Sequence, residues 1–148
     1  MGTRVLIVDR HAAFRYYLRL YLGLLDRGYA VVGEAETAGA ALAAIAASVP
    51  DLVFTDIELP DRKGLSFIRE VRRAWPQAAV VVVSNNAAAE YRQAALDAGA
   101  SDYVDKLEVV QALPPVLRAL GAPAAGPASP AVGMTQPAPG TAAGSAAR

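Results

Sequence analysis

Polar residues with chemical potential stand just past the ends of short apolar runs. Val5–Val8 leads into Asp9, Leu52–Phe54 is followed after Thr55 by Asp56, Val80–Val83 by Ser84, and Tyr103-Val104 by Asp105-Lys106. Two carboxylates and a hydroxyl make an oxygen-rich set that can act as a nucleophile or hold a cation, and Lys106 adds a compact positive charge. The lysine stands out because the chain holds 12 Arg and only 2 Lys. Taken singly, each acidic residue reads as a turn former or helix cap. Their shared position, each just beyond an apolar run, is what points to a site. With no cysteine in the sequence, a disulfide framework, a thiolate nucleophile and Cys-ligated zinc are excluded.

The elements that must bring these residues together follow from the spacing. Apolar runs of strand length occur at Val5–Val8, Val31–Val32, Leu52–Phe54, Val80–Val83 and around Tyr103-Val104. Helical stripes lie between them. Phe14, Leu18, Tyr21, Leu22 and Leu25 share one face before Gly28. Ala38, Ala41, Leu42 and Ile45 share another, with Thr37 as N-cap and Pro50 beyond the end. Leu65, Ile68, Val71 and Trp75 form a third stripe closed by Pro76, and Tyr91, Ala94, Ala95 and Ala98 a weaker fourth ending at Gly99. Strands alternating with helices imply right-handed crossovers and a parallel sheet covered on both faces. In such a sheet, sites form outside the carboxyl ends of the strands, where Asp9, Asp56, Ser84 and Lys106 fall. A last helix is expected from about Glu108 to Leu120, with Pro114-Pro115 kinking it or starting a fresh helix.

Composition bounds the rest. The chain has 148 residues, 54% of them hydrophobic, with 14 basic against 14 acidic side chains. That length suits one domain with a sizeable core, placed at residues 3–120. The neutral balance argues against a nucleic-acid partner. No apolar window reaches the roughly 18 residues of a membrane span, and the Val5–Val8 run stops too soon at Asp9-Arg10 for a signal peptide. Leu6 stands where a myristoylation signal at Gly2 needs Ser or Thr. A cytoplasmic protein without a membrane partner is expected. Residues 121–148 hold 10 Ala, 5 Pro and 5 Gly with a single charge at Arg148, which reads as a disordered tail and not an output domain.

The segments "VLIVDRH", "PDLVFTDIELPDRKG", "VVVVSN" and "GASDYVDK" together resemble the receiver domain of two-component response regulators over about residues 3–120. Pro60 and Gly64, four and eight residues after Asp56, keep that family's spacing. The resemblance implies a flavodoxin-like, doubly wound α/β fold: a five-stranded parallel sheet of order 2-1-3-4-5 with five helices. It implies that Asp56 accepts a phosphoryl group from a histidine kinase or phosphotransfer protein. Mg²⁺ would be held by Asp9, Asp56 and the carbonyl of Glu58, Lys106 would contact the phosphoryl group, and Ser84 and Tyr103 would form the switch pair. It also implies a downstream protein target, met on the face of the fourth helix, fifth strand and fifth helix. The protein is then expected to signal and not to act as an enzyme.

One departure from the family pattern stands out. The family carries two adjacent acidic residues after the first strand, the second a direct metal ligand; here Arg10 follows Asp9. Counting Arg10 with Lys106 against Asp9 and Asp56 makes the pocket neutral without metal, which would weaken or remove Mg²⁺. If instead Arg10 points to solvent or pairs with Asp61, a weaker metal site persists. A metal-independent pseudo-receiver, acting as a constitutive interaction module, is therefore the alternative, and an aspartyl-phosphate hydrolase ranks behind both. His11 reads as a surface residue, the cluster Arg69, Arg72 and Arg73 as a solvated face, and Tyr16 and Tyr17 as core or kinase-docking positions.

Overall fold

The computed structural model describes residues 2–25 and 28–121; the expectation of a disordered tail falls, beyond Gly121, outside the described residues. Strands and helices alternate as β1 (Thr3–Val8), α1 (Ala12–Leu24), β2 (Tyr29–Ala35), α2 (Ala38–Ser48), β3 (Leu52–Thr55), α3 (Gly64–Ala74), β4 (Ala79–Ser84), α4 (Ala89–Ala98), β5 (Asp102–Asp105) and α5 (Val109–Ala119). A 3₁₀ turn, Lys106–Glu108, joins β5 to α5. All strand pairs are parallel, in the order β2-β1-β3-β4-β5.

The sheet is buried on both faces because alternate side chains of each strand point to opposite sides. Leu6, Val8, Val53, Val80 and Val82 meet α2, α3 and α4 through Ala41, Ile45, Phe67, Ile68, Val71 and Ala95. Val5, Ile7, Phe54, Val81 and Val83 meet α1 and α5 through Leu18, Leu22, Val109, Leu113 and Leu117. The α1 and α3 stripes expected from the spacing are those that pack inward, whereas Tyr91 of the expected α4 stripe is exposed.

Two helix ends bear on the site. The Thr37 side chain caps α2 by accepting from Ala40 N at 3.0 Å. Asp61, from the loop after β3, accepts from the first amides of α2, Ala38 N and Gly39 N, both at 2.9 Å. Those bonds hold its carboxyl below the usual carboxylate range. At the chain's other end the two prolines neither end α5 nor begin a second helix, and Val109–Ala119 is one helix. Pro114 leaves the carbonyl of Val110 without its helical donor. Tyr21 Oη of α1 donates to that oxygen at 3.2 Å.

Candidate functional site

The strand order reverses direction between β1 and β3, and the crevice of an open parallel sheet lies at such a point. Asp9 follows β1 and Asp56 follows β3. Their backbones are pinned there, Asp9 N donating to Ala35 O at 2.9 Å and Asp56 N to Val8 O at 3.1 Å. Both side chains are buried, the residues 1% and 4% exposed. Asp56 Oδ1 accepts from Ile57 N at 2.6 Å and Glu58 N at 3.2 Å. Its Oδ2 accepts from Lys106 Nζ at 3.0 Å, and the same ammonium stands 2.7 Å from Asp9 Oδ2. The Phe14 ring lies 4.5 Å from Nζ, its face towards the cation. Burial alone would lower the Lys106 ammonium; hydrogen bonds and charge from Asp9 and Asp56 outweigh it and hold the group above the ordinary lysine range.

The loop after Asp56 is tied by an antiparallel bridge between Glu58 and Lys63 and by Gly64 N donating to Ile57 O at 3.0 Å. A Cβ on Gly64 would fall 2.5 Å from that same oxygen, so the close approach requires glycine. Glu58 itself is exposed, which leaves its backbone as the part nearest the pocket.

Ser84 is buried at the end of β4, and its Oγ accepts from Asn86 N at 3.1 Å. Tyr103 is only 5% exposed, and its Oη donates to the carbonyl of Asn86. Burial pushes the Tyr103 phenol up; the Ser84 hydrogen bond partly offsets this, and the charges of Asp56 and Glu58 add to the rise. The two switch candidates thus hold opposite sides of one peptide segment. Asp105, by contrast, has the bland role open to any acidic residue after a strand, capping the 3₁₀ turn through Leu107 N at 2.9 Å.

Arg10 differs from the neutral-pocket expectation. It is exposed and forms no ion pair with Asp9 or Asp56 among the described residues. Asp61, its other expected partner, is engaged by the amides of α2. The enclosed charges are then two carboxylates against one lysine. His11 lies at the surface, as expected. Its ring is about half exposed, with Nδ1 3.1 Å from Asp9 Oδ1, and its backbone N–H donates to the same oxygen at 2.8 Å. Asp9, His11 and Asp56 each offer a ligand atom, all within 4.8 Å of one another. Asp9 Oδ2 is buried against the Lys106 ammonium, 2.7 Å away. These residues fit a divalent cation. A histidine two places after a strand-end aspartate is a sequence signal too weak to show this without the fold.

The response regulator receiver domain family matches residues 5–117. The KDP operon transcriptional regulatory protein KdpE of Escherichia coli is 41% identical over 104 residues, 70% of this chain and 44% of that protein. The chemotaxis protein CheY of Thermotoga maritima is 35% identical over 106 residues, 72% of this chain and 87% of that one. The chain thus spans less than half of the KdpE relative and most of the CheY relative. Among solved structures, a LuxR-family two-component response regulator from Aurantimonas superposes with a TM-score of 0.72 at 32% identity, covering 80% of this chain and 87% of that one. RcsB from Salmonella enterica serovar Typhimurium, bound to promoter rprA, superposes with a TM-score of 0.73 at 25% identity, covering 80% and 67%. With a DNA-bound regulator among its neighbours, the expectation of no nucleic-acid partner, drawn from net charge alone, finds no support. No helix among the described residues is long and apolar enough to cross a membrane.

Proposed function

This chain belongs to the response regulator receiver domain family, and on that premise we propose that Asp56 accepts a phosphoryl group from a histidine kinase or phosphotransfer protein, the signal passing on through protein contacts. The arrangement around Asp56 carries the reading: a buried carboxylate with one oxygen on two amides and the other on Lys106 Nζ. Attack by a carboxylate oxygen on phosphorus forms a P–O bond while the donor's P–N bond breaks and its imidazole leaves. The chain's part is positioning and charge neutralisation. Lys106 offsets the charge on the phosphoryl oxygens. The Ser84 hydroxyl, buried at the end of β4, would donate to one of them on turning from Tyr103. Asp9, Asp56 and the Glu58 carbonyl would hold a divalent cation, which when bound supplies further neutralisation of the phosphoryl group.

Readout starts at Asn86, the segment held by both Ser84 and Tyr103. Arg92 of α4 donates to Tyr103 O at 2.7 Å and pairs with Asp102 at 3.0 Å, so movement of β5 is felt in α4. On this reading the output face is that of α4, β5 and α5, which the Arg92 contacts support. The test is acid-labile phosphate incorporated from acetyl phosphate: Asp56→Asn abolishes it, and incorporation that survives overturns the assignment.

A second reading, the metal-independent interaction module, is favoured by one observation. Lys106 already bridges both carboxylates and Tyr103 is already buried, so the pocket is satisfied by its own side chains. Beryllofluoride with Mg²⁺ and, in parallel, with Mn²⁺ separates the two. A shift in melting temperature and in amide resonances near Asn86 supports the phospho-accepting receiver, and silence supports the module.

A further inference from the structure

The metal-facing residues do not match the hard, all-oxygen set that Mg²⁺ demands. The position next to Asp9, where the family carries its second carboxylate, holds Arg10, which is exposed. What reaches the pocket is the next side chain along. His11 Nδ1 stands 3.1 Å from Asp9 Oδ1, and Asp9, His11 and Asp56 offer ligand atoms within 4.8 Å of one another. Asp9 Oδ2 is buried against the Lys106 ammonium at 2.7 Å, which leaves Oδ1 as the oxygen beside the imidazole. We propose that this pocket takes a borderline divalent transition metal in preference to Mg²⁺, with His11 Nδ1 supplying the ligand that the second carboxylate would otherwise supply. The proposal concerns the same site as the phosphoryl-acceptor reading and deepens it.

The chemistry runs as follows. Imidazole nitrogen is a good ligand for Mn²⁺, Co²⁺ and Zn²⁺ and a poor one for Mg²⁺, which keeps waters and carboxylates around it. Exchanging one carboxylate for one imidazole lowers the negative charge that attracts any dication, and it does so most for Mg²⁺, which gains little from nitrogen. On binding, the Nδ1 lone pair takes the metal, with the ring hydrogen on Nε2. His11 is reachable for this because its ring is half exposed at the mouth of a groove of about 370 Å³ that also borders Phe14, Asn85 and Lys106.

The experiment uses the untagged full chain and measures affinity for Mg²⁺ and for Co²⁺ by calorimetry, with the visible absorption of Co²⁺ as a second readout. His11→Phe removes the nitrogen at a position whose exposure makes loss of folding no concern, and melting in chelator checks this. The expected result is a Co²⁺ to Mg²⁺ affinity ratio that falls about tenfold or more in His11→Phe, with the nitrogen-dependent Co²⁺ spectrum lost. Asp9→Asn should weaken both metals. An unchanged ratio, or a wild-type chain that binds Mg²⁺ as tightly as Co²⁺, overturns the proposal. The functional reading fails separately: if Asp56→Asn still incorporates phosphate from acetyl phosphate while the His11-dependent ratio holds, the acceptor assignment falls and the metal assignment stands.

Discussion

Lys106 is the residue on which the pocket balances. Its ammonium stands between two carboxylates that are nearly sealed from water, at 2.7 Å and 3.0 Å. Removing one partner from a buried charged cluster typically costs about 3–5 kcal/mol, since the remaining charges are left uncompensated. Lys106→Ala should therefore lower the urea midpoint markedly in chelator, and part of the loss should return on adding Mn²⁺ or Co²⁺, which takes over the neutralising role. A variant as stable as wild type in chelator would mean that Asp9 and Asp56 do not share their charge with Lys106. The same residue sets a pH dependence. Lys106 and Tyr103 both hold their protons more tightly in the folded chain than when unfolded. At pH values near or above their ordinary range, the unfolded chain thus binds fewer protons than the folded one, and stability falls as pH rises. It should hold from neutral pH to about 10, the ordinary tyrosine and lysine range, and decline above. Urea midpoints measured from neutral to strongly alkaline solution check this, and Tyr103→Phe should remove the phenol's share of the decline.

At the scale of elements, α5 shows how a local conflict is resolved by a neighbour. Two consecutive prolines argue for a break, but Tyr21 of α1 occupies the carbonyl of Val110 that Pro114 leaves without a donor. Burial also pushes the Tyr21 phenol up, so it stays a donor at neutral pH. A typical net hydrogen bond contributes about 0.5–1.5 kcal/mol. Tyr21→Phe should cost about that much in the wild-type background and almost nothing alongside Pro114→Ala, where the restored amide bonds Val110 O instead. The coupling in that double-mutant cycle is the measurement, and equal costs in both backgrounds would remove the role given to Tyr21. No feature of the sequence near residue 114 announces a tyrosine 93 positions earlier. The same limit applies to Asp61, whose spacing suggests the loop after β3 but not the start of α2. Contacts between elements are not encoded in local periodicity, whereas the stripes Leu18–Leu22 and Ile68–Val71 are.

For the whole molecule, the architecture was legible because both faces of every inner strand must be covered. The continuous valines of β4 admit no solvent face, and runs such as Val5–Val8 fix where each strand stops and its polar residue begins. The positions of Asp9, Asp56 and Lys106 followed from that, while the outward turn of Arg10 and the contact of His11 with Asp9 depend on side-chain directions just past a strand end, which strand periodicity does not settle. The alternation has an energetic consequence. Phe54 packs with α1 and α5 while its neighbour Val53 packs with α2–α4, so one strand belongs to two cores at once. Neither core can lose its helices without exposing a sheet whose other face is still packed, and neither face persists once the strands part. The two cores should therefore unfold as one unit. Trp75, the single tryptophan, packs against the α2–α4 side and reports on it by fluorescence. Leu113→Ala opens a cavity on the opposite side, in α5, at a cost of about 2–5 kcal/mol. If the sheet couples the faces, that substitution moves the Trp75 fluorescence midpoint in urea by the same amount as the far-UV circular dichroism midpoint. A fluorescence transition that stays at its wild-type position while the dichroism shifts would show the α1–α5 side melting alone, and the coupling through shared strands would be wrong.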